Sequence, residues 1–168
     1  KSSVLVEGVA VCDVEHGYDG NLYLADYGGG WSVNKNGTVQ IMRPTDPKML
    51  AIGKETSLAF KKGFDERSGP ELQLLLSHDD QRVRQAAQFA LVKKGETSIT
   101  WLKEVLQDAG SNEYAPLHAL WALGQLYRQE FNSTASHLVE SLESKDLEIR
   151  ANAARTCGDI RLAGSKER

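Results

Sequence analysis

Three stretches of this chain resemble one another at a spacing of about one helical hairpin. They are Asp80-Gln-Arg-Val-Arg-Gln-Ala-Ala-Gln-Phe-Ala-Leu91, Asn112-Glu-Tyr-Ala-Pro-Leu-His-Ala-Leu-Trp-Ala-Leu-Gly124 and Asp146-Leu-Glu-Ile-Arg-Ala-Asn-Ala-Ala-Arg-Thr-Cys-Gly158. Ala87, Ala119 and Ala153 align, 32 and then 34 residues apart. Each stretch reads as the second helix of a pair, and that period is the signature of stacked helix pairs. Arrays of this kind bury a core between neighbours and offer long surfaces, so they bind or brace far more often than they catalyse. The expectation for this segment is an interaction scaffold, and chemistry must be sought elsewhere in the chain.

The 168 residues are enough for one ordinary domain or two small ones, and 40% hydrophobic residues can bury a sizeable core. A net charge of −3 argues against nucleic acid, which asks for a basic face. No apolar run approaches the roughly 18 residues of a membrane span. The opening Lys1-Ser-Ser-Val-Leu-Val has no long apolar stretch of the kind that makes a signal peptide. Cys12 and Cys157 are far apart and form no Cys-x-x-Cys motif, so zinc, redox-motif and haem-attachment readings find no support in these residues. Two small buried apolar residues are expected, and whether they pair stays open.

Residues 1–45 read as β. Val9-Ala-Val-Cys-Asp-Val14 is apolar and β-branched. Asn21-Leu-Tyr-Leu-Ala25 alternates after Asp19-Gly20, and Thr38-Val-Gln-Ile-Met42 alternates after Asn36-Gly37. A glycine-rich loop, Gly28-Gly-Gly-Trp-Ser-Val-Asn-Lys35, joins the last two. The prediction is an antiparallel β-meander over 4–43. Three strands alone are marginal in water, and an unpaired edge invites another chain, so pairing into a dimer through residues 4–42 is expected. Pro44-Thr-Asp-Pro47 ends the β region. Residues 46–69 read as a connector without a clean period, with a short helix over Lys54 to Phe60.

From Pro70 the period is helical. Leu72, Leu75 and Leu76 share a face, as do Val83, Ala87, Ala90 and Leu91, with Gly95 as terminator. A second pair runs from Ser98 to Gln107 and from Tyr114 to Arg128, and a third from Ser133 to Leu142 and from Leu147 to Arg161. The predicted fold is mostly α: an α-solenoid of about three helical hairpins over 70–162, within a helical domain of residues 70–168.

The hairpins resemble HEAT repeats. The likeness rests on Asp80-x-x-Val83-Arg84 and Asp146-x-x-Ile149-Arg150, where the family's Asp and Arg form a hydrogen-bonded ladder between neighbours. Asn112 and Pro116 break the pattern in the middle repeat. The string Cys12-Asp-Val-Glu-His-Gly-Tyr-Asp-Gly-Asn-Leu-Tyr-Leu-Ala-Asp-Tyr27 is similar to the last blade of a sugar-dehydrogenase-like β-propeller. The order of the two is similar to large secreted proteins of Planctomycetes and related bacteria, dehydrogenase-like or haem-binding, in which a propeller, HEAT repeats and a c-type cytochrome domain follow one another. That resemblance implies a middle piece of a periplasmic or secreted oxidoreductase. This segment would itself be a non-catalytic spacer, bracing the propeller and positioning the cytochrome. Haem c, and a quinone or calcium, would belong to the parent protein, and this segment would hold no cofactor of its own. The alternatives are a stand-alone protein-binding HEAT module and a β segment that contributes to an oxidoreductase active site.

Asp13, Glu15, His16, Asp19 and Asp26 gather acids near two strand ends, which suits a hard cation or a polar substrate. The plainer reading is turn formation and strand capping. Asp13, Asp26 and Trp31 are the ligand-binding candidates, Trp31 because an indole stacks on a sugar ring as readily as it covers a core edge. No catalytic or metal-ligand set is predicted. His16, His78, His118 and His137 show no ligand spacing, and His118, beside Ala119 and Trp121, reads as a satisfied structural histidine. A protein-binding face would carry Arg82, Gln85 and Gln88 on one repeat and Glu148 and Asn152 two repeats on. Its partner would be another domain of the parent or a separate protein.

Overall fold

The computed structural model describes residues 6–29, 36–108 and 112–162. The chain is mostly helical, with a small antiparallel sheet near its N-terminal end, and it divides into two compact units, residues 1–62 and 63–168.

In the first unit β1 (Val11–His16), β2 (Leu22–Asp26) and β3 (Thr38–Met42) form a sheet of order β1-β2-β3, both pairs antiparallel. The Asp19-Gly20 turn closes the first hairpin. Gly20 takes φ +80°, open to a residue without Cβ, and the Gly17 N–H donates to Asn21 O at 2.9 Å. Asp19 ties the turn by accepting from the Asn21 N–H and from the Tyr23 hydroxyl, and the Tyr23 bond draws its carboxyl below the ordinary value. The meander is as the alternation predicts, but its burial is thin. Leu24 alone among the strand residues is buried, and Val11, Val14, Val39 and Ile41 stay exposed.

Where the sequence suggested a connector with a short helix over Lys54 to Phe60, the chain forms a full helix, α1 (Pro47–Lys62). Its start is explained by Asp46, whose carboxylate accepts from the N–H groups of Lys48 and Met49, followed by proline in the first turn. Read as the end of the sheet, Pro44-Thr-Asp-Pro47 is also the start of this helix. Helix α1 packs on the first hairpin turn through paired glycines: a Cβ on Gly53 would lie 2.6 Å from Asp19 O. Tyr18 stacks on Phe60 with ring centroids 4.0 Å apart.

The second unit holds α2 (Gly69–Leu75), α3 (Gln81–Lys93), α4 (Ile99–Gln107), α5 (Ala115–Arg128), α6 (Ala135–Ser141) and α7 (Leu147–Asp159). A 3-10 turn leads into α4 and another into α6. Helices pair as α2 with α3, α4 with α5 and α6 with α7, while α3 packs on α5 and α5 on α7. The boundaries follow local chemistry. Ser68 and Glu71 form a reciprocal capping box at α2. Asp80 caps α3, Asp146 caps α7, and Asn112 accepts from the N–H groups of Tyr114 and Ala115 at the start of α5. Gly95, at φ +64°, ends the α3 segment in the left-handed conformation, as expected of a terminating glycine.

The core is leucine-rich: Leu72, Leu76, Leu91, Leu102, Leu120, Leu123, Leu126 and Leu138 are fully buried. Each such side chain contributes roughly 1.5–3 kcal/mol of transfer free energy. Helix α5 lies at the centre, touching α3, α4, α6 and α7, which is why its apolar residues cover so much of its circumference. Ala87, Ala119 and Ala153, the aligned residues, are all fully buried. Cys12 and Cys157 are free thiols, the first exposed and the second buried in this core.

Candidate protein-interaction face

The junction between the first two hairpins is built around a buried polar chain. Arg84 on α3 donates from Nε to Nε2 of His118 on α5 at 3.3 Å. His118 must then carry its proton on Nδ1, where it donates to Gln88 Oε1 at 2.7 Å. Gln88 in turn donates to Gln125 Oε1 at 3.2 Å. Arg84, Gln88 and His118 are all buried. Burial, with the Arg84 charge second, lowers the His118 pKa from 6.5 to about 4, so the ring is neutral as this chain of donors requires. The Arg84 guanidinium also donates to the carbonyls of His78 and Asp79 and lies 4.4 Å from the Tyr114 ring centroid. Desolvation pulls the Arg84 pKa down, and the nearby Tyr114, Asp80 and Asp79 oppose that shift. His118 is the satisfied structural histidine expected, with Trp121 edge-on at 5.1 Å.

At the Asp and Arg positions expected to form a ladder, the contacts are as follows. Asp80 caps α3 and binds Arg82 at 2.7 Å, while Arg84 holds the carbonyls of its own turn. The third hairpin repeats the arrangement, Asp146 capping α7 and Arg150 donating to the carbonyls of Ser144 and Lys145. Arg84 and Arg150 each brace their own turn, and Arg84 also reaches the neighbouring hairpin through His118. Asn112, which departs from the repeat pattern, supplies another link, donating to Ser77 O at 3.2 Å.

The proposed binding face needs revision too. Gln88 is buried inside the junction and offers nothing to a partner. Arg82 is half-buried on Asp80, and Asn152 is half-buried with its amide on Glu148 O. Gln85 and Glu148 are exposed. What sequence reasoning missed is a row at one equivalent position per hairpin: Phe89, Trp121 and Arg155, two residues past each aligned alanine and all exposed. The signal was present in the repeats, since a place that takes Phe, Trp and Arg in turn tolerates a charged side chain and is not a core place. Two hollows lie between α5 and α7, the smaller of them against Trp121 of this row. One of about 200 Å³ is lined by Trp121, Gln125, Arg128 and Asp159, and one of about 630 Å³ by Tyr114, Leu117, Leu147 and Glu148.

The acidic residues of the sheet do not converge. Asp13 pairs in register with Ala25, so strand alternation sets Asp13 and Asp26 on opposite faces. Asp26 accepts from the N–H groups of Ala10 and Gly28, and Asp13 from that of Val14, all local turn or strand contacts. Among the described residues no group of three or more His, Cys, Asp or Glu side chains is placed to hold a metal ion, and no helix is long and apolar enough to cross a membrane. Trp31 lies outside the described residues.

No protein-family model matches the chain, and no curated protein is significantly similar to it.

Proposed function

We propose that residues 70–162 are a HEAT-like α-solenoid acting as a non-catalytic scaffold, and that its second-helix face holds another protein domain. The observation that carries this reading is the row α3, α5 and α7, second helices of three successive hairpins, each packed on the next and each opened by Asp or Asn at an equivalent position. Such a row extends a surface in one direction at little cost in contact order, the property repeat scaffolds use to position partners. Phe89, Trp121 and Arg155 are residue types that anchor interfaces when desolvated. The likeness of residues 12–27 to a propeller blade supports a parent of the propeller–HEAT–cytochrome kind. In that setting the segment braces one domain and sets the distance to the other, while haem c and any quinone or calcium belong to the parent. The second reading is a stand-alone protein-binding module, which the same exposed row favours.

Calorimetric titration with calcium, simple sugars and a quinone cofactor tests the non-catalytic reading. The expected result is no heat and no rise in thermal midpoint. Heat with any of them, lost in Asp26→Asn, would overturn it in favour of an active-site role for the sheet. Within the parent protein, Phe89→Ala and Trp121→Ala should weaken domain docking, whereas Leu74→Ala, exposed on α2, should leave it unchanged.

A further inference from the structure

The buried polar chain of the first junction has its direction set from one end, because an arginine can only donate. Arg84 makes Nε2 of His118 an acceptor, which makes His118 Nδ1 a donor to Gln88 Oε1, which leaves the Gln88 amide nitrogen to donate to Gln125 Oε1. Gln125 keeps its amide N–H groups, and they make no hydrogen bond among the described residues. Gln125 also lines the hollow of about 200 Å³ between α5 and α7. A network buried in one junction therefore orients a donor at the next.

The same hollow holds a second polar group without a partner. Thr156 on α7 is only 7% exposed. Its methyl Cγ2 lies on Gly124, 2.5 Å from where a Cβ would stand. Its hydroxyl makes no hydrogen bond among the described residues, and a nearly buried hydroxyl costs stability until something meets it. Arg128, exposed at the rim, makes no ion pair among the described residues. Trp121, 37% exposed, supplies an aromatic wall. The preceding junction differs: Val92 and Ala122 stand 32 and 34 residues before Gly124 and Thr156, so a side chain fills the one place and no hydroxyl occupies the other. Both helices that frame the hollow are present, so its opening does not depend on what flanks the hairpins.

We propose that this hollow receives an acidic side chain, a glutamate or aspartate, of the docked protein domain. The proposal rests on the scaffold reading above and names the chemistry of its partner. The Gln125 amide, the Thr156 hydroxyl, the Arg128 guanidinium and the Trp121 indole N–H all donate. A carboxylate accepts up to about four hydrogen bonds and brings the charge that Arg128 lacks. Asp159 also lines the hollow, but Arg128 and the exposed Arg155, one turn before Asp159 on α7, outnumber it. The volume suits a carboxyl group with its stem, since a cavity of roughly 150 Å³ already takes a benzene-sized guest. A protein supplies the rest of the contact, because Trp121 belongs both to this hollow and to the exposed row.

Heteronuclear NMR of the isotope-labelled full chain tests this through the Trp121 indole and Gln125 side-chain signals. The probes are the peptide acetyl-Leu-Glu-Phe-amide and its neutral twin acetyl-Leu-Gln-Phe-amide. The expected result is saturable shifts with the Glu peptide, with affinity about tenfold or more lower for the Gln peptide, in Thr156→Val and in Arg128→Gln. Asp159→Asn should tighten binding. Valine keeps nearly the shape of threonine and Arg128 is exposed, so both weakening variants should hold the parent's helical circular dichroism. No shifts with the Glu peptide, equal binding of the two peptides, or an affinity unchanged in both weakening variants overturns the proposal. Inorganic phosphate that shifts the same signals as strongly as the Glu peptide overturns it too, in favour of a small-anion site. If Phe89→Ala and Trp121→Ala weaken domain docking while the Glu peptide fails to bind, only this inference falls. If docking ignores both substitutions, the interface reading itself falls.

Discussion

At the scale of single residues the buried chain Arg84–His118–Gln88 couples stability to pH. The unfolded chain binds a proton on His118 near its ordinary 6.5, and the folded chain only near about 4. Between those values the unfolded state holds more protons, so acid favours unfolding. The contribution is fully present above pH 6.5 and is lost as pH falls toward 4, with a slope no steeper than about 1.4 kcal/mol per pH unit for one proton. Urea midpoints at pH 7 and pH 4.5 check this, and His118→Gln should flatten the dependence by that amount. Protonation also turns the Nε2 acceptor into a donor facing Arg84, so the acid form loses a hydrogen bond as well as gaining a like charge. Asp146→Ala removes the acceptor for the N–H groups of Glu148 and Ile149 and should cost about 1 kcal/mol, read from the same denaturation curves.

At the scale of elements the glycines of α1 and α5 are contact residues, not weak points of their helices. Gly53→Ala gains about 1 kcal/mol of helix propensity but drives a methyl to 2.6 Å from Asp19 O, backbone that the turn holds in place. The expected net effect is destabilisation of the first unit by about 1–2 kcal/mol, with the Tyr18–Phe60 stack loosened. Thermal melts followed by tyrosine absorbance would show it, and a raised midpoint would mean that the turn yields freely. In the second unit Ala119→Glu places a carboxylate at a fully buried, tightly packed site in the central helix. Loss of more than about 3 kcal/mol, enough to abolish cooperative unfolding of the hairpins, is the outcome expected in urea titration.

At the scale of the whole molecule the two units differ in how they are held. Residues 63–168 own a core of fully buried leucines and capped helices, so this fragment should fold alone, with helical circular dichroism and a cooperative melt. A sheet that buries one strand residue has much less to hold it, and residues 1–62 expressed alone should melt at lower temperature and with a shallower transition. Equal midpoints for the two fragments would contradict that ordering.

The helix periods, the Asp and Asn caps, the Asp19-Gly20 turn and the aligned alanines were legible in the sequence because each acts over a few residues, where propensity and hydrogen bonding are local. Helix α1 was legible in principle from Asp46-Pro47 and was obscured by Pro44 before it. Other features were decided only by tertiary packing. Gln88 and Gln85 are three residues apart and chemically alike, yet one is sealed in the α3–α5 junction and the other faces solvent. Asp13 and Asp26 looked like neighbours until the register set them on opposite faces. Gly124 and Gly158 occupy the same place in the repeat, and only the presence of α7 on one of them separates a closed contact from an open one. Sequence fixes what a residue offers to its own turn or strand; what it meets across an interface depends on which helix lies there, and that is a property of the assembled fold.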